Sequence, residues 1–165
     1  MSGYFEGDMI RPLGLVTLFF GYAEYELDQF LERLASTAAL DPSWRQRTLG
    51  QKLGLLEEAV AAVEGSDRAS LDALLREARC LFERRNSLVH SCIVAGGRVI
   101  SSRSEVSEWH TSPDELTALA EQIFTWKERL SVYRWKKVEP LLQRQTLVEA
   151  ARDELECTPS RKTKS

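Results

Sequence analysis

The chemistry-bearing residues of this chain gather in one segment, Arg84-Arg85-Asn86-Ser87-Leu88-Val89-His90. It holds one of the two histidines in 165 residues and the only asparagine. A guanidinium can grip a phosphorane through two parallel hydrogen bonds, and an imidazole can pass a proton near neutral pH. Cation and imidazole together therefore suit chemistry on phosphate. On a helix, Asn86 and His90 stand one turn apart on the same face. Arg85 lies about 100° round the helix, but its long side chain can reach the same mouth.

Arg85 also breaks the pattern of its own helix. An apolar seam runs through Leu71, Leu75, Ala78 and Phe82, meets Arg85, and resumes at Val89. A second row through Leu74, Ala78, Leu81 and Leu88 passes through Arg85 as well. A charge on a bundle seam needs an anionic partner or a wet cleft, and local rules tend to be broken at functional or strained sites. One reading is a structural ion pair across the bundle, with Glu26 as the candidate partner. His90 has a similar alternative: a helix-terminal histidine that caps carbonyls and is favoured by the helix dipole.

Arg85-Asn86-Ser87-Leu88-Val89-His90 resembles the motif of HEPN domains: an arginine, four to six residues of which the first is often polar, then a histidine. The setting is similar too, a helical domain of this size with the motif late in a central helix. Many HEPN domains are metal-independent endoribonucleases, several of them toxins in toxin–antitoxin or antiphage systems. The resemblance implies that Arg85 and His90 are the catalytic pair and Asn86 a supporting polar residue. It also implies an RNA substrate, no metal or other cofactor, and a homodimer that supplies the second proton-transfer group. A cognate antitoxin or other protein partner would follow. The alternative is a non-catalytic HEPN-like module that binds a protein or RNA partner. Ser91 and Cys92 depart from the subfamily with a tyrosine two residues after the histidine, so properties of that tyrosine do not carry over. Arg103, separated from His110 by six residues, fits the same spacing, but His110 stands just before a helix cap in a region read as loop.

A second cationic stretch is Lys127-Glu128-Arg129 followed by Tyr133-Arg134-Trp135-Lys136-Lys137, five basic residues against one acidic. Basic residues interleaved with aromatics can cradle a single-stranded backbone and stack its bases. Arg84, Lys127, Arg134 and Lys137 are accordingly candidate substrate-binding residues. The plainer reading is a solvated helix face whose Trp126 and Tyr133 pack inward.

The elements that must position these residues are helical. Val16, Phe20, Ala23, Leu27, Phe30 and Leu34 step by four and three within a helix from about Pro12 to Leu40, stopped by Asp41-Pro42-Ser43. A second helix is expected over Ser43–Val63, carried by Leu49, Leu53, Leu56, Val60 and Val63. The third starts near Ser66. After His90, Cys92-Ile93-Val94 and Arg98-Val99-Ile100 flank Ala95-Gly96-Gly97 as a short hairpin, and Ser101–His110 reads as irregular. Ser112-Pro113-Asp114-Glu115 opens a fourth helix with a hydroxyl cap, proline at the first position and a glutamate three residues on. That helix carries Leu116, Leu119, Ile123, Phe124 and Leu130 towards Glu139, where Pro140 is expected to kink or break it. A last helix covers Leu141–Leu155. The fold class is all-α, an antiparallel four- to five-helix bundle with a short β-like hairpin excursion after helix 3. Residues 1–155 form the single helical domain, and 156–165 a disordered polar tail.

Composition bounds the function. With 22 Lys+Arg against 25 Asp+Glu the formal net charge is −3, which excludes a protein that coats nucleic acid backbones but leaves room for a small cationic cleft. Cys80, Cys92 and Cys157 are an odd count without CxxC spacing, so they read as reduced thiols, and no zinc-finger spacing joins them to the histidines. Leu13–Phe20 is too short for a bilayer, which takes about 20 apolar residues, and lacks the features of a signal peptide. A cytoplasmic location is expected. There is no P-loop, GxGxxG or hydrolase elbow.

Overall fold

The computed structural model describes residues 8–94, 97–101 and 108–156. Helix α1 (Ile10–Leu34) is followed by a 3-10 turn (Pro42–Gln46), α2 (Leu49–Ala61) and α3 (Arg68–Val89). Three short strands come next, β1 (Ser91–Val94), β2 (Arg98–Ser101) and β3 (Glu108–His110). The chain ends in α4 (Pro113–Tyr133), a π-helical turn (Arg134–Val138) and α5 (Glu139–Glu156). The result is an all-α bundle with one small antiparallel sheet. No helix among the described residues is long and apolar enough to cross a membrane. The expected tail beyond Glu156 lies outside the described residues.

The helices form where their apolar stripes demand partners. Every seam residue expected on α1, from Val16 to Leu34, is buried. So are Leu71, Leu75, Ala78 and Phe82 on α3, and Leu116, Leu119, Ile123 and Leu130 on α4. Two seam assignments fail: Val89 and Phe124 are 42% and 38% exposed. Val89 is the last residue of α3, where the chain leaves the bundle for the sheet. Phe124 sits at the edge of the α1–α4 contact, with its ring 5.0 Å from that of Phe19.

Packing pairs give the helix directions. Phe19 meets Phe124, Phe30 meets Tyr133 and Arg33 meets Glu139, so α1 and α4, the most extensively packed pair, run the same way. Against α4, Leu74 meets Trp126 and Arg84 meets Gln122, so α3 runs antiparallel.

Caps decide several boundaries. Asp67 accepts from the Ser70 N–H and starts α3. The Ser112–Glu115 capping box forms at α4 as its sequence requires. The helix expected over Ser43–Val63 is divided, because Thr48 and Gln51 form a capping box of their own that restarts the chain at Leu49. Trp44, in the 3-10 turn ahead of it, is buried.

Pro140 does not break the helix. The Glu139 N–H donates to the Arg134 carbonyl five residues back, and α4 passes through the π turn into α5. The widened turn accommodates the proline ring and its missing donor, which would otherwise disrupt an i→i−4 ladder. Arg33 of α1 clamps the junction: its Nε donates to both Glu139 carboxylate oxygens, at 3.1 and 3.0 Å.

The hairpin expected after His90 is present, with Cys92 opposite Ile100. The irregular reading of Ser101–His110 is corrected at its end, where Glu108–His110 pairs with β2 as a third strand; residues 102–107 lie outside the described residues. Three residues are too few for an alternation to be visible. Gly97 ties the sheet to α4. Its φ is +71°, its carbonyl accepts from the Thr111 N–H at 2.8 Å, and a Cβ there would stand 2.1 Å from the Thr111 carbonyl oxygen.

Two outcomes test this architecture. Gly97→Ala should cost about 1–3 kcal/mol and raise amide exchange in β2 and β3 first, as strain at a left-handed position does. The Glu139 carboxyl is held below its ordinary pKa mainly by hydrogen bonding from Arg33. The pair therefore adds stability that is present above the unfolded carboxylate pKa of about 4.3 and lost as pH falls through the lower folded value. Urea midpoints followed from neutral pH downward should show that part of the acid dependence vanish in Arg33→Gln.

Candidate functional site

Helix α3 delivers its polar segment to the end of the bundle. It stops at His90, whose backbone (φ −94°, ψ 13°) leaves the helix while its N–H donates to the Asn86 and Leu88 carbonyls. The Ser87 hydroxyl donates to the Glu83 carbonyl and the Ser91 hydroxyl to the Ser87 carbonyl, which secures the last turn. The His90 side chain is exposed, one turn beyond an exposed Asn86.

Arg85 is half-buried and lies flat on α1, its guanidinium carbon 4.0 Å from the centroid of the Phe20 ring. Its Nη1 donates to Asn86 Oδ1 at 3.1 Å. Its Nε is buried without an acceptor. Burial pulls its pKa below the ordinary arginine value, and the charge of Glu24 partly opposes this. Arginine remains cationic regardless. The expected structural partner, Glu26, is taken: its Oε1 lies 3.2 Å from Nη2 of Arg134, with both side chains nearly buried. Among the described residues no carboxylate comes within 4.0 Å of the Arg85 guanidinium.

The second cationic stretch is largely spoken for. Lys127 pairs with Glu128 and stands over Phe124, Arg129 meets Glu77, Arg134 meets Glu26, and Lys137 lies 3.7 Å from Asp67. Trp126 and Tyr133 point into the core, as the plainer reading of this face holds. Lys127, Arg134 and Lys137 do not converge with Arg85 and His90; they lie along α4 and the π turn.

Arg84 faces the other way, donating to Gln122 Oε1 of α4 at 3.0 Å. It lines a groove of about 540 Å³ between α3, β3 and the start of α4, together with Ser87, Trp109 and His110. The structure thus joins Arg85 to Asn86, and sets Arg84 on a groove that His110 also lines, on different sides of one helix end. Phe20 and Trp109 are the residues that inspection of the segment missed. Phe20 reads as ordinary core, and Trp109 is hidden in a three-residue strand. No group of three or more His, Cys, Asp or Glu side chains among the described residues is placed to hold a metal ion.

Comparison with known proteins finds no match among family models, curated proteins or solved structures.

The contact with Phe20 needs only a side chain of similar shape, so the fold does not require the Arg85 charge. Arg85→Met, which keeps the contact with Phe20 and removes the desolvated charge, should leave unfolding stability within about 1 kcal/mol of the parent in urea titration.

Proposed function

We propose that the chain is a metal-independent endoribonuclease of HEPN type, a toxin or defence effector of the cytoplasm that cleaves RNA by attack of the ribose 2′-hydroxyl. The observation that carries this reading is the Arg85 guanidinium, partly desolvated, braced by Phe20 and Asn86, and free of any carboxylate partner among the described residues. A cation held in this way is poised for an oxyanion, because a preorganised charge outside bulk water interacts more strongly with developing negative charge.

His90 takes the 2′-hydroxyl proton as O2′ attacks phosphorus, Arg85 stabilises the pentacoordinate phosphate, and Asn86 holds the guanidinium in place. The P–O5′ bond breaks, leaving a 2′,3′-cyclic phosphate and a 5′-hydroxyl. The leaving oxygen needs a proton, and the segment offers one histidine. A homodimer with two-fold symmetry supplies the second, the partner's His90. The outward face of α1 supports such pairing, since its exposed positions between Arg11 and Gln29 are Gly14, Thr17, Leu18, Gly21, Tyr22 and Tyr25, none of them charged. Arg84, which faces the other side of the helix end, takes no part in this step, and a cognate antitoxin would cover the surface that carries Arg85 and His90.

A second reading, a non-catalytic module that binds a protein or RNA partner, is favoured by the ion pairs that occupy Lys127, Arg134 and Lys137. The two part on one assay. RNA incubated with the protein in EDTA should be cleaved to cyclic-phosphate ends, and Arg85→Ala and His90→Ala should each slow cleavage by about 100-fold or more. Unchanged cleavage by both variants excludes the mechanism, and RNA binding without cleavage identifies the module.

A further inference from the structure

We propose, resting on the reading of Arg85 as an oxyanion site, that Lys52 is a positioning residue for it. The buried ammonium of Lys52 holds Glu24 off the Arg85 guanidinium and so keeps that arginine open to a phosphate.

Lys52 is an expensive residue to bury. The Thr48–Gln51 capping box starts α2 at Leu49, and the resulting phase turns Lys52 inward with Leu53, Leu56, Ala59 and Val60. Its Nζ lies 2.7 Å from Asp28 Oδ1 and 3.9 Å from Glu24 Oε1. Those carboxylates are not themselves buried: the side chains of Glu24 and Asp28 are 46% and 36% exposed. Water reaches both, so neither needs an ammonium in order to stay charged. An apolar side chain of similar volume in place of a buried charge is often neutral for stability. The fold alone therefore gives little reason for a lysine here.

The geometry gives the ammonium another use. Phe20 and Glu24 stand one turn apart on α1 and share a face. Arg85 lies over the Phe20 ring, 4.0 Å from its centroid, so Glu24 is within reach of two cations, Lys52 from α2 and Arg85 from α3. Its charge is felt at Arg85 across the gap. The other carboxylates of this run are committed, Glu26 to Arg134 and Asp28 to Lys52. Arg85 also offers a vacant donor, its buried Nε having no acceptor among the described residues. A buried donor left unpaired is unfavourable, so a carboxylate released nearby would take it. What holds Glu24 back is the attraction of a buried ammonium, which acts more strongly than the same charge in water. Without that charge, Glu24 swings to Arg85. A guanidinium that is paired with its own carboxylate must break the pair before it can grip a phosphate.

The test compares the full chain with Lys52→Met, Lys52→Arg and the double variant Lys52→Met/Glu24→Gln, by two readouts. The first is the Arg85 Nε–H NMR signal, which requires neither RNA nor catalysis. In Lys52→Met its exchange with water should slow about tenfold as Glu24 closes on it. Lys52→Arg and the double variant should both keep the parent value. The second readout is RNA cleavage in EDTA, expected to fall about tenfold in Lys52→Met and to recover in the other two. A lysine that served only the fold would not be rescued by neutralising Glu24. Since Lys52→Met removes a buried partner, Glu24→Gln alone supplies a variant that leaves the core undisturbed, and it should keep the parent Nε–H signal. The proposal is overturned if Lys52→Met leaves that signal unchanged or if adding Glu24→Gln fails to restore it. It is equally overturned if Glu24→Gln alone shifts the signal, because Glu24 would then already touch Arg85. The expected exchange pattern in a chain that cleaves no RNA sinks the endoribonuclease reading and leaves the positioning by Lys52 standing.

Discussion

The indole of Trp126 lies fully buried between α3 and α4, and its Nε1–H donates to the Leu74 carbonyl at 2.8 Å. An indole N–H in an apolar interior without an acceptor would cost about 1–3 kcal/mol, so this bond sets the register of α3 against α4. From Trp126 an aromatic column continues outward. Phe82 meets it edge-on at 5.2 Å, and Phe20 of α1 meets Phe82 edge-on at 5.1 Å. Edge-to-face pairs place the positive rim of one ring on the negative face of another. The column ends at Arg85, whose cation takes the place of the next ring edge over Phe20. The position of the candidate site is thus a consequence of core packing. The register that buries Trp126 also brings Arg84 to Gln122.

Electrostatic allocation along α1 completes the arrangement. Glu24, Glu26 and Asp28 follow one another on this helix, and three cations lie near them. Lys52 of α2 is only 4% exposed, and its Nζ sits 2.7 Å from Asp28 and 3.9 Å from Glu24. A buried ammonium cannot do without such partners. Arg134 claims Glu26 from the π turn. Arg85 then has the field of Glu24 without its contact. With Lys52 on Asp28 and Arg134 on Glu26, the seam arginine Arg85 has no carboxylate partner among the described residues.

Much of this could be read from residue order, because much of it is local. The apolar stripe of α1 is buried at every expected position, and the Ser112 capping box is satisfied by atoms within four residues of one another. Arg85 stands out as a seam violation for the same reason: helical periodicity alone places it against a neighbour. Most of the misreadings are non-local or too short to show a period; the helix expected over Ser43–Val63 is the exception, since the Thr48–Gln51 capping box that divides it is local. Glu26 sits in the right neighbourhood for Arg85, yet Arg134, which is close to it only in space, takes it. Pro140 has the chemistry of a helix breaker, but the π turn before it absorbs the defect. Strand β3 has three residues and is defined by its partner β2 rather than by any pattern of its own. The candidate RNA-binding cations of α4 and the π turn keep their spacing and lose their freedom to carboxylates elsewhere in the bundle or beside them.

By itself, then, the order of residues determined most of the helices and their buried faces, the cap of α4, and the segment where cation, amide and imidazole meet. Those depend on contacts within a turn or two, or on a single periodicity. The tertiary structure alone decided which carboxylate each cation receives, that Arg85 receives none among the described residues, and that Arg84 turns away from it toward His110 and Trp109. Neighbouring residues on a helix point about 100° apart, so Arg84 and Arg85, adjacent in the chain, belong to different surfaces once α1 and α4 have packed on either side.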